Sequence, residues 1–205
     1  MFNKLAPQFY TRGNVVQIAK ELIGKILVTN FNGIITSGRI VETEAYNGIN
    51  DKASHAYGSR RTARTEVFYN EGGVAYVYLC YGIHQMFNVI TSGKDDPKAI
   101  LIRALQPLDG IDVMLERTKK LQLDDTLTRG PGNVAKALGL YRHHTAISLQ
   151  CNEIFIADDK FKFGKNEIVA TTRIGVGYAA EDAMLPYRFI VNGHKYVSKP
   201  NKILQ

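Results

Sequence analysis

The 205-residue sequence predicts a mixed α/β (α+β) fold: a curved, largely antiparallel β-sheet with surrounding helices. Three observations lead there. Segments of β-branched and aromatic residues outnumber helical stripes. Two Asn-Gly dipeptides, at Asn32-Gly33 and Asn192-Gly193, mark tight turns. Strands and helices do not alternate regularly, and neither GxGxxG nor GxxxxGK[ST] occurs, which argues against a doubly wound parallel sheet. At about 100–200 residues per domain, residues 1–205 are read as a single domain.

The elements follow in order. Val15, Ile18, Ala19, Leu22 and Ile23 form a helical stripe, opened by a capping box from Asn14 and Gln17 and closed by Gly24. Strands are expected over 25–31 and 34–46, joined by a type I′ turn at Asn32-Gly33. Residues 47–73 show little periodicity, and a long irregular segment inside a compact domain is usually functional. Strands resume over 74–81, 84–91 and 99–105. A helix is expected over 109–119 with Asp109 as its cap, then a short one from Gly130-Pro131-Gly132 to Gly139. Three or four strands complete the chain.

Composition bounds the function. Apolar residues are 45% and charged residues 22%, enough for a core and too apolar for disorder. No apolar run reaches the ~18 residues of a membrane span, and residues 1–7 lack the apolar stretch of a secretory signal. The two cysteines, Cys80 and Cys151, form no CxxC pair, which argues against a disulfide scaffold, a zinc finger or an iron–sulfur cluster and for a cytoplasmic location. Lys plus Arg is 26 against 19 for Asp plus Glu, so the net charge of +7 favours an anionic partner, nucleic acid first.

Three stretches stand out chemically. In the strand around Arg39-Ile40-Val41-Glu42-Thr43-Glu44-Ala45-Tyr46, period-2 alternation puts Glu42, Glu44 and Tyr46 on one face. Two carboxylates so spaced are either a solvated face or partners for arginines; the sharper reading makes Glu44 a general base acting on water. His55 stands near Arg60, Arg61 and Arg64 in the irregular segment. A lone histidine is more often a satisfied structural residue, but three arginines within five residues beside Tyr57, Phe68 and Tyr69 suit a polyanion. In Tyr76-Val77-Tyr78-Leu79-Cys80-Tyr81-Gly82, a core strand is the plain reading, and a tyrosine wedge at a hairpin tip is the other. Asn88 interrupts an apolar run.

Together and in this order, these stretches resemble the alkyladenine (3-methyladenine/methylpurine) DNA glycosylases. Leu101-Ile102-Arg103-Ala104-Leu105, Gly130-Pro131, Arg173-Ile174-Gly175-Val176-Gly177 and Arg188-Phe189 extend the match over residues 9–198. The resemblance implies that family's fold and a monofunctional enzyme of base excision repair. Its partner would be double-stranded DNA containing damaged purines, and it would work as a monomer without metal or cofactor. It implies Glu44 as general base, with Arg103 and the backbone of Ile174 helping to hold the nucleophilic water. A flipped base would stack between Tyr46 and the pair His55 and Tyr78, in a pocket that also takes Asn88, Met86 and Leu101. Tyr81 would enter the minor groove, and Arg60, Arg61 and Arg64 would follow the DNA backbone. The match departs at Ile83-His84, at Met86, in the loop Gly93-Lys94-Asp95-Asp96-Pro97, and in the acidic Glu66 and Glu71. A non-catalytic DNA-binding module sits poorly with an intact Glu44. An O-glycoside hydrolase using Glu42 and Glu44 sits poorly with two carboxylates side by side, since such enzymes flank the bond.

Overall fold

The computed structural model describes residues 2–164 and 166–199. After a short turn of helix, α1 (Pro7–Tyr10), helix α2 (Val15–Leu22) begins where expected. The Asn14 side chain accepts a hydrogen bond from the Gln17 N–H at 3.0 Å. Gln17 does not return it; its side-chain amide donates to Glu21 at 2.7 Å, so only half of the capping box forms. β1 (Ile26–Phe31) and β2 (Ile34–Tyr46) follow, and Asn32 and Gly33 both take positive φ, as a type I′ turn requires.

The remaining strands are β3 (Ala75–Cys80), β4 (His84–Thr91), β5 (Lys98–Pro107), β6 (Ile154–Ala157), β7 (Ile168–Thr171) and β8 (Arg188–Val191). They form one sheet in the order β3-β4-β5-β2-β1-β6, with β8 pairing both β2 and β7, and these pairings are antiparallel. β2 is the organising strand. One of its edges runs along β5; the other is shared, with β1 reaching Arg39 and β8 taking over from Glu42 to Glu44. The two carboxylates therefore lie in the middle of the sheet. The β2–β5 register shifts on both sides of Glu42, so that Glu42 faces Ala104, Thr43 faces Ile102, and Arg103 is passed over. Such a bulge re-aims a side chain without ending the strand.

The face of β2 opposite the carboxylates meets α2: the Thr43 hydroxyl donates to the Ala19 carbonyl at 2.9 Å, and Val41 and Ala45 belong to the same core as Ile18 and Leu22. α3 (Ile111–Thr118) packs on α4 (Pro131–Leu138), which in turn covers β4 and β5. Residues 47–73 hold only short 3-10 turns, at Gly48–Asn50, Tyr57–Ser59 and Glu66–Tyr69, and are tied down by buried Val67, Phe68 and Tyr69. Among the described residues no helix is long and apolar enough to cross a membrane.

The start of α3 differs from expectation. Asp109 does not cap it; its carboxylate accepts from the Ser37 hydroxyl at 2.5 Å and so ties the helix to the β1–β2 hairpin. Gly110 takes the N-cap position at φ +71°, where an added Cβ would stand 2.3 Å from the Ile35 carbonyl oxygen. Gly110→Ala is expected to lower stability by about 1–3 kcal/mol, since both the left-handed φ and the close approach exclude a side chain. A shift of the urea midpoint at unchanged slope is the measurement; an unchanged midpoint would contradict it.

Candidate active site

Glu42 and Glu44 are fully buried, and each is surrounded by donors. Glu42 Oε1 accepts from Arg103 Nε at 2.9 Å and from Arg188 Nε at 2.7 Å, while Oε2 accepts the Ser198 N–H at 2.8 Å. Burial by itself would raise the Glu42 carboxyl, but the charges of Arg103 and Arg188 outweigh it and hold the group below the usual carboxylate range. Glu44 has a different shell. Its Oε2 accepts from the Tyr46 hydroxyl at 2.8 Å and from Arg103 Nη1 at 3.2 Å, and its Oε1 accepts the Ile174 N–H at 2.7 Å. Burial and the neighbouring Glu44 charge raise the Tyr46 phenol well above its ordinary value, so it remains a donor.

Tyr46 is also the first wall of a narrow aromatic cleft lined by Tyr46, His55, Phe68, Tyr78, Asn88 and Tyr178, together with Ala53 and Ala99. Behind its ring stands Arg173, 5.0 Å from the centroid, whose fork grips Asp51 at 2.5 and 2.8 Å. Asp51 accepts the N–H groups of Asn47 and Ala53 as well, so this buried ion pair shapes the start of the irregular segment. Across the cleft, His55 meets Tyr78 edge-on at 4.7 Å. Arg64 Nε donates to the Tyr76 hydroxyl at 3.3 Å, and the same hydroxyl shares a hydrogen bond with His55 Nδ1 at 3.1 Å. Burial first, and then the charges of Arg64 and Arg60, lower the His55 pKa to about 4. The His55 backbone N–H donates to no group among the described residues.

Asn88 is buried with its amide donating to the carbonyls of Tyr76 at 3.2 Å and Met86 at 3.1 Å. Met86 and Leu101 do not line the cleft; Met86 pairs with Tyr78 across β3 and β4, and Leu101 is buried opposite Asn88 on β5. Tyr81 is 91% exposed at the β3–β4 hairpin tip, and it and Gly82 both have positive φ. A bulky residue with that backbone is uncommon and mildly strained. The three arginines of the irregular segment part company. Arg60 is exposed, Arg64 lies 5.1 Å over the Tyr78 ring, and Arg61 is held by Glu66 at 2.6 Å and Asp95 at 3.1 Å.

Arg188, Asp51, Arg173 and Tyr178 received no role from the sequence, yet they complete this arrangement. Tyr178 donates its hydroxyl to the Ala53 carbonyl at 3.2 Å and closes the cleft beside Tyr46. An arginine opening the apolar run Arg188-Phe189-Ile190-Val191 was the one available sign of a buried cation in need of a carboxylate.

The sequence model of the methylpurine-DNA glycosylase family matches residues 8–195. Curated relatives are similar along nearly their whole length. A protein of Clostridium acetobutylicum is 44% identical, over 95% of this chain and 97% of its own. One of Chlamydia felis is 44% identical over 97% of this chain and 100% of its own, and one of Bacillus cereus 44% identical over 95% and 98%. Each carries the name "Putative 3-methyladenine DNA glycosylase".

The depressed pKa of His55 has a consequence for stability. Its folded value, about 4, lies below the ~6.5 of an unfolded histidine. Between these values the unfolded chain binds more protons, so stability rises with pH across this window and is lost on acidification. His55→Gln is expected to flatten the dependence of the urea midpoint on pH between ~4 and ~6.5; an unaltered slope would show that His55 is not held neutral.

Proposed function

The chain belongs to the methylpurine-DNA glycosylase family, and from that membership and the geometry of the cleft we propose that it flips alkylated or deaminated purines out of duplex DNA and hydrolyses their N-glycosidic bond, leaving an abasic site. The lesions are of the 3-methyladenine, hypoxanthine and ethenoadenine class. The observation that carries the reading is Glu44: a buried carboxylate held by an amide N–H, a guanidinium and the phenol of Tyr46, which is itself a wall of the aromatic cleft.

In this mechanism the flipped base lies between Tyr46 on one side and His55 with Tyr78 on the other. The free His55 N–H donates to an acceptor at the purine 6-position, which hypoxanthine offers and adenine does not. Asn88 crowds the 2-amino group of guanine, while Met86 and Leu101 flank Tyr78 and Asn88 as their cross-strand partners. Glu44 takes a proton from water as the water oxygen bonds to C1′ and the C1′–N9 bond breaks. Its negative charge also favours the oxocarbenium character that develops on the sugar. The electron pair leaves with the base; a base already cationic departs neutral, whereas hypoxanthine needs a proton. Arg103 and the Ile174 N–H orient the carboxylate and help hold the water. Tyr81 fills the gap in the duplex, and Arg60 and Arg64 meet phosphates. Arg61, engaged by Glu66 and Asp95, must exchange those partners to do the same.

Glu44→Gln keeps shape and removes the base. Excision from duplexes carrying one defined lesion is expected to fall by at least ~100-fold with lesion binding retained; near-normal single-turnover excision would remove Glu44 from the mechanism. Tyr81→Ser is expected to leave the urea midpoint almost unchanged, because an exposed side chain has no packing to lose. It should weaken lesion binding and excision, least for a lesion opposite an unpaired site, where flipping costs little. Unaltered flipping, read by a fluorescent base analogue at the lesion, would exclude the wedge.

A further inference from the structure

A second, wider cleft of about 440 Å³ lies on the outer flank of β3. Its lining includes Arg64, Tyr76, Tyr78, Leu79, Arg142 and Thr145, and among the described residues no carboxylate contributes. We propose that this cleft is a phosphodiester subsite, in which Arg142 and Arg64 grip a backbone phosphate of the DNA strand that carries the flipped nucleotide. The proposal rests on the DNA reading above and adds Arg142 to its binding machinery.

Two cations converge on this cleft without a counter-ion. The Arg142 side chain has no hydrogen bond or ion pair among the described residues. Arg64 is oriented by its Nε bond to the Tyr76 hydroxyl and by the Tyr78 ring, while its two Nη groups donate to nothing among the described residues. The buried arginines of the sheet and of the Tyr46 corner, by contrast, are neutralised: Arg103 and Arg188 by Glu42 and Arg173 by Asp51. Two unpaired guanidinium groups facing one concavity repel each other, and an anion between them removes that cost. Their planar forks match the oxygens of a phosphate.

The backbone beneath Arg142 is locked in advance. It lies in the 3-10 turn Arg142–His144, which caps the open edge of β3. Thr145 ends this turn by donating its hydroxyl to the Val77 carbonyl at 2.9 Å and accepting the Val77 N–H at 3.0 Å. His144 stacks on Phe31 at 4.8 Å and accepts the Tyr141 N–H on Nδ1 at 2.9 Å. A ligand bound there does not have to order the turn.

Position favours a phosphate of the substrate strand over a free anion. Tyr78 is a wall of both clefts, and Tyr76 joins Arg64 on one side to His55 on the other. A phosphate between Arg64 and Arg142 is therefore one tyrosine away from the base held by His55 and Tyr78. The tip of the same hairpin carries Tyr81, so the wedge, the base cleft and this subsite share β3 and its turn.

The test uses the intact protein, fluorescence anisotropy with a lesion duplex, and a series of salt concentrations. Arg142→Ala is compared with Lys162→Ala, an exposed lysine lining a different cleft, which removes the same charge. The expected result is a log–log salt slope reduced by about one for Arg142→Ala and less for Lys162→Ala, with lesion and undamaged duplexes weakened alike. A single neutral methylphosphonate is then moved through the positions flanking the lesion. At one position it should weaken the wild type more than it weakens Arg142→Ala, which has only the Arg64 contact left to lose. Equal slopes for the two variants, or additive losses at every position, would overturn the subsite while leaving the glycosylase reading intact. If inorganic phosphate at millimolar concentration protects the Arg142 turn from hydrogen exchange but the duplex does not, the site takes a free anion and the proposal fails. Absence of salt-dependent duplex binding by the wild type would refute both readings.

Discussion

The bond pair that Arg103 makes to two buried carboxylates is the constraint on which the rest of the site depends. Nε reaches Glu42 at 2.9 Å and Nη1 reaches Glu44 at 3.2 Å, with all three residues in the interior of the sheet. Taking ions out of water costs several kcal/mol each, and only close pairing with saturated hydrogen bonding offsets it. The chain meets that demand with a balanced set, Glu42 and Glu44 against Arg103 and Arg188. The set draws β2, β5, β8 and Ser198 to one point. Such a network adds little stability over apolar packing. It does select one arrangement, because any slip of β5 against β2 would strand a charge in the interior.

Within that network two glutamates of identical chemistry acquire different work. Glu42 is enclosed by two guanidinium groups and a backbone amide, so that it serves as an anchor. Glu44 shares one guanidinium and faces a phenol that belongs to the aromatic cleft. The difference arises from position along β2: Glu42 meets Arg188 and the C-terminal segment, whereas Glu44 stands beside Tyr46 at the end where the strand opens into the irregular segment. The proposed base is therefore positioned by its neighbours while remaining next to the space in which a flipped nucleotide would lie.

A second buried pair, Asp51 with Arg173, does for the loops what Arg103 does for the strands. It gathers the N–H groups of Asn47 and Ala53 and places a cation behind the Tyr46 ring. Residues 177–184 close the same corner. Tyr178 and Asp182 reach Ala53 and Lys52, and Ala180 accepts a positive φ to allow it. Rigidity on this side contrasts with exposure on the other, where Tyr81 projects from a strained two-residue tip. A fixed pocket beside a projecting tyrosine suits the proposed receipt of a base extruded from a duplex.

The sequence by itself determined the local elements and the family. Asn14 opening α2, Asn32-Gly33 turning β1 into β2, the bounds of β2 and β4, and the turn at Gly82 were all legible, because each depends on residues adjacent in the chain, whereas the exposure of Tyr81 was not. The order of chemically marked stretches from Arg39 to Arg188 was enough to identify the glycosylase resemblance that the family match supports. What only the tertiary structure decided was partnership across the fold. Spacing left Glu42 and Glu44 open to a solvated face, and burial with Arg103, 61 and 59 residues away, is a long-range outcome. Asp109 reads as a helix cap until Ser37, 72 residues away, is seen to engage it. Arg61 reads as one of three equivalent arginines until Glu66 and Asp95 occupy it, while Arg142 shows no sign of importance until β3 brings it opposite Arg64. The reason is physical: a propensity acts between neighbours and can be read along the chain, whereas an ion's partner is whichever opposite charge the sheet delivers when water is excluded.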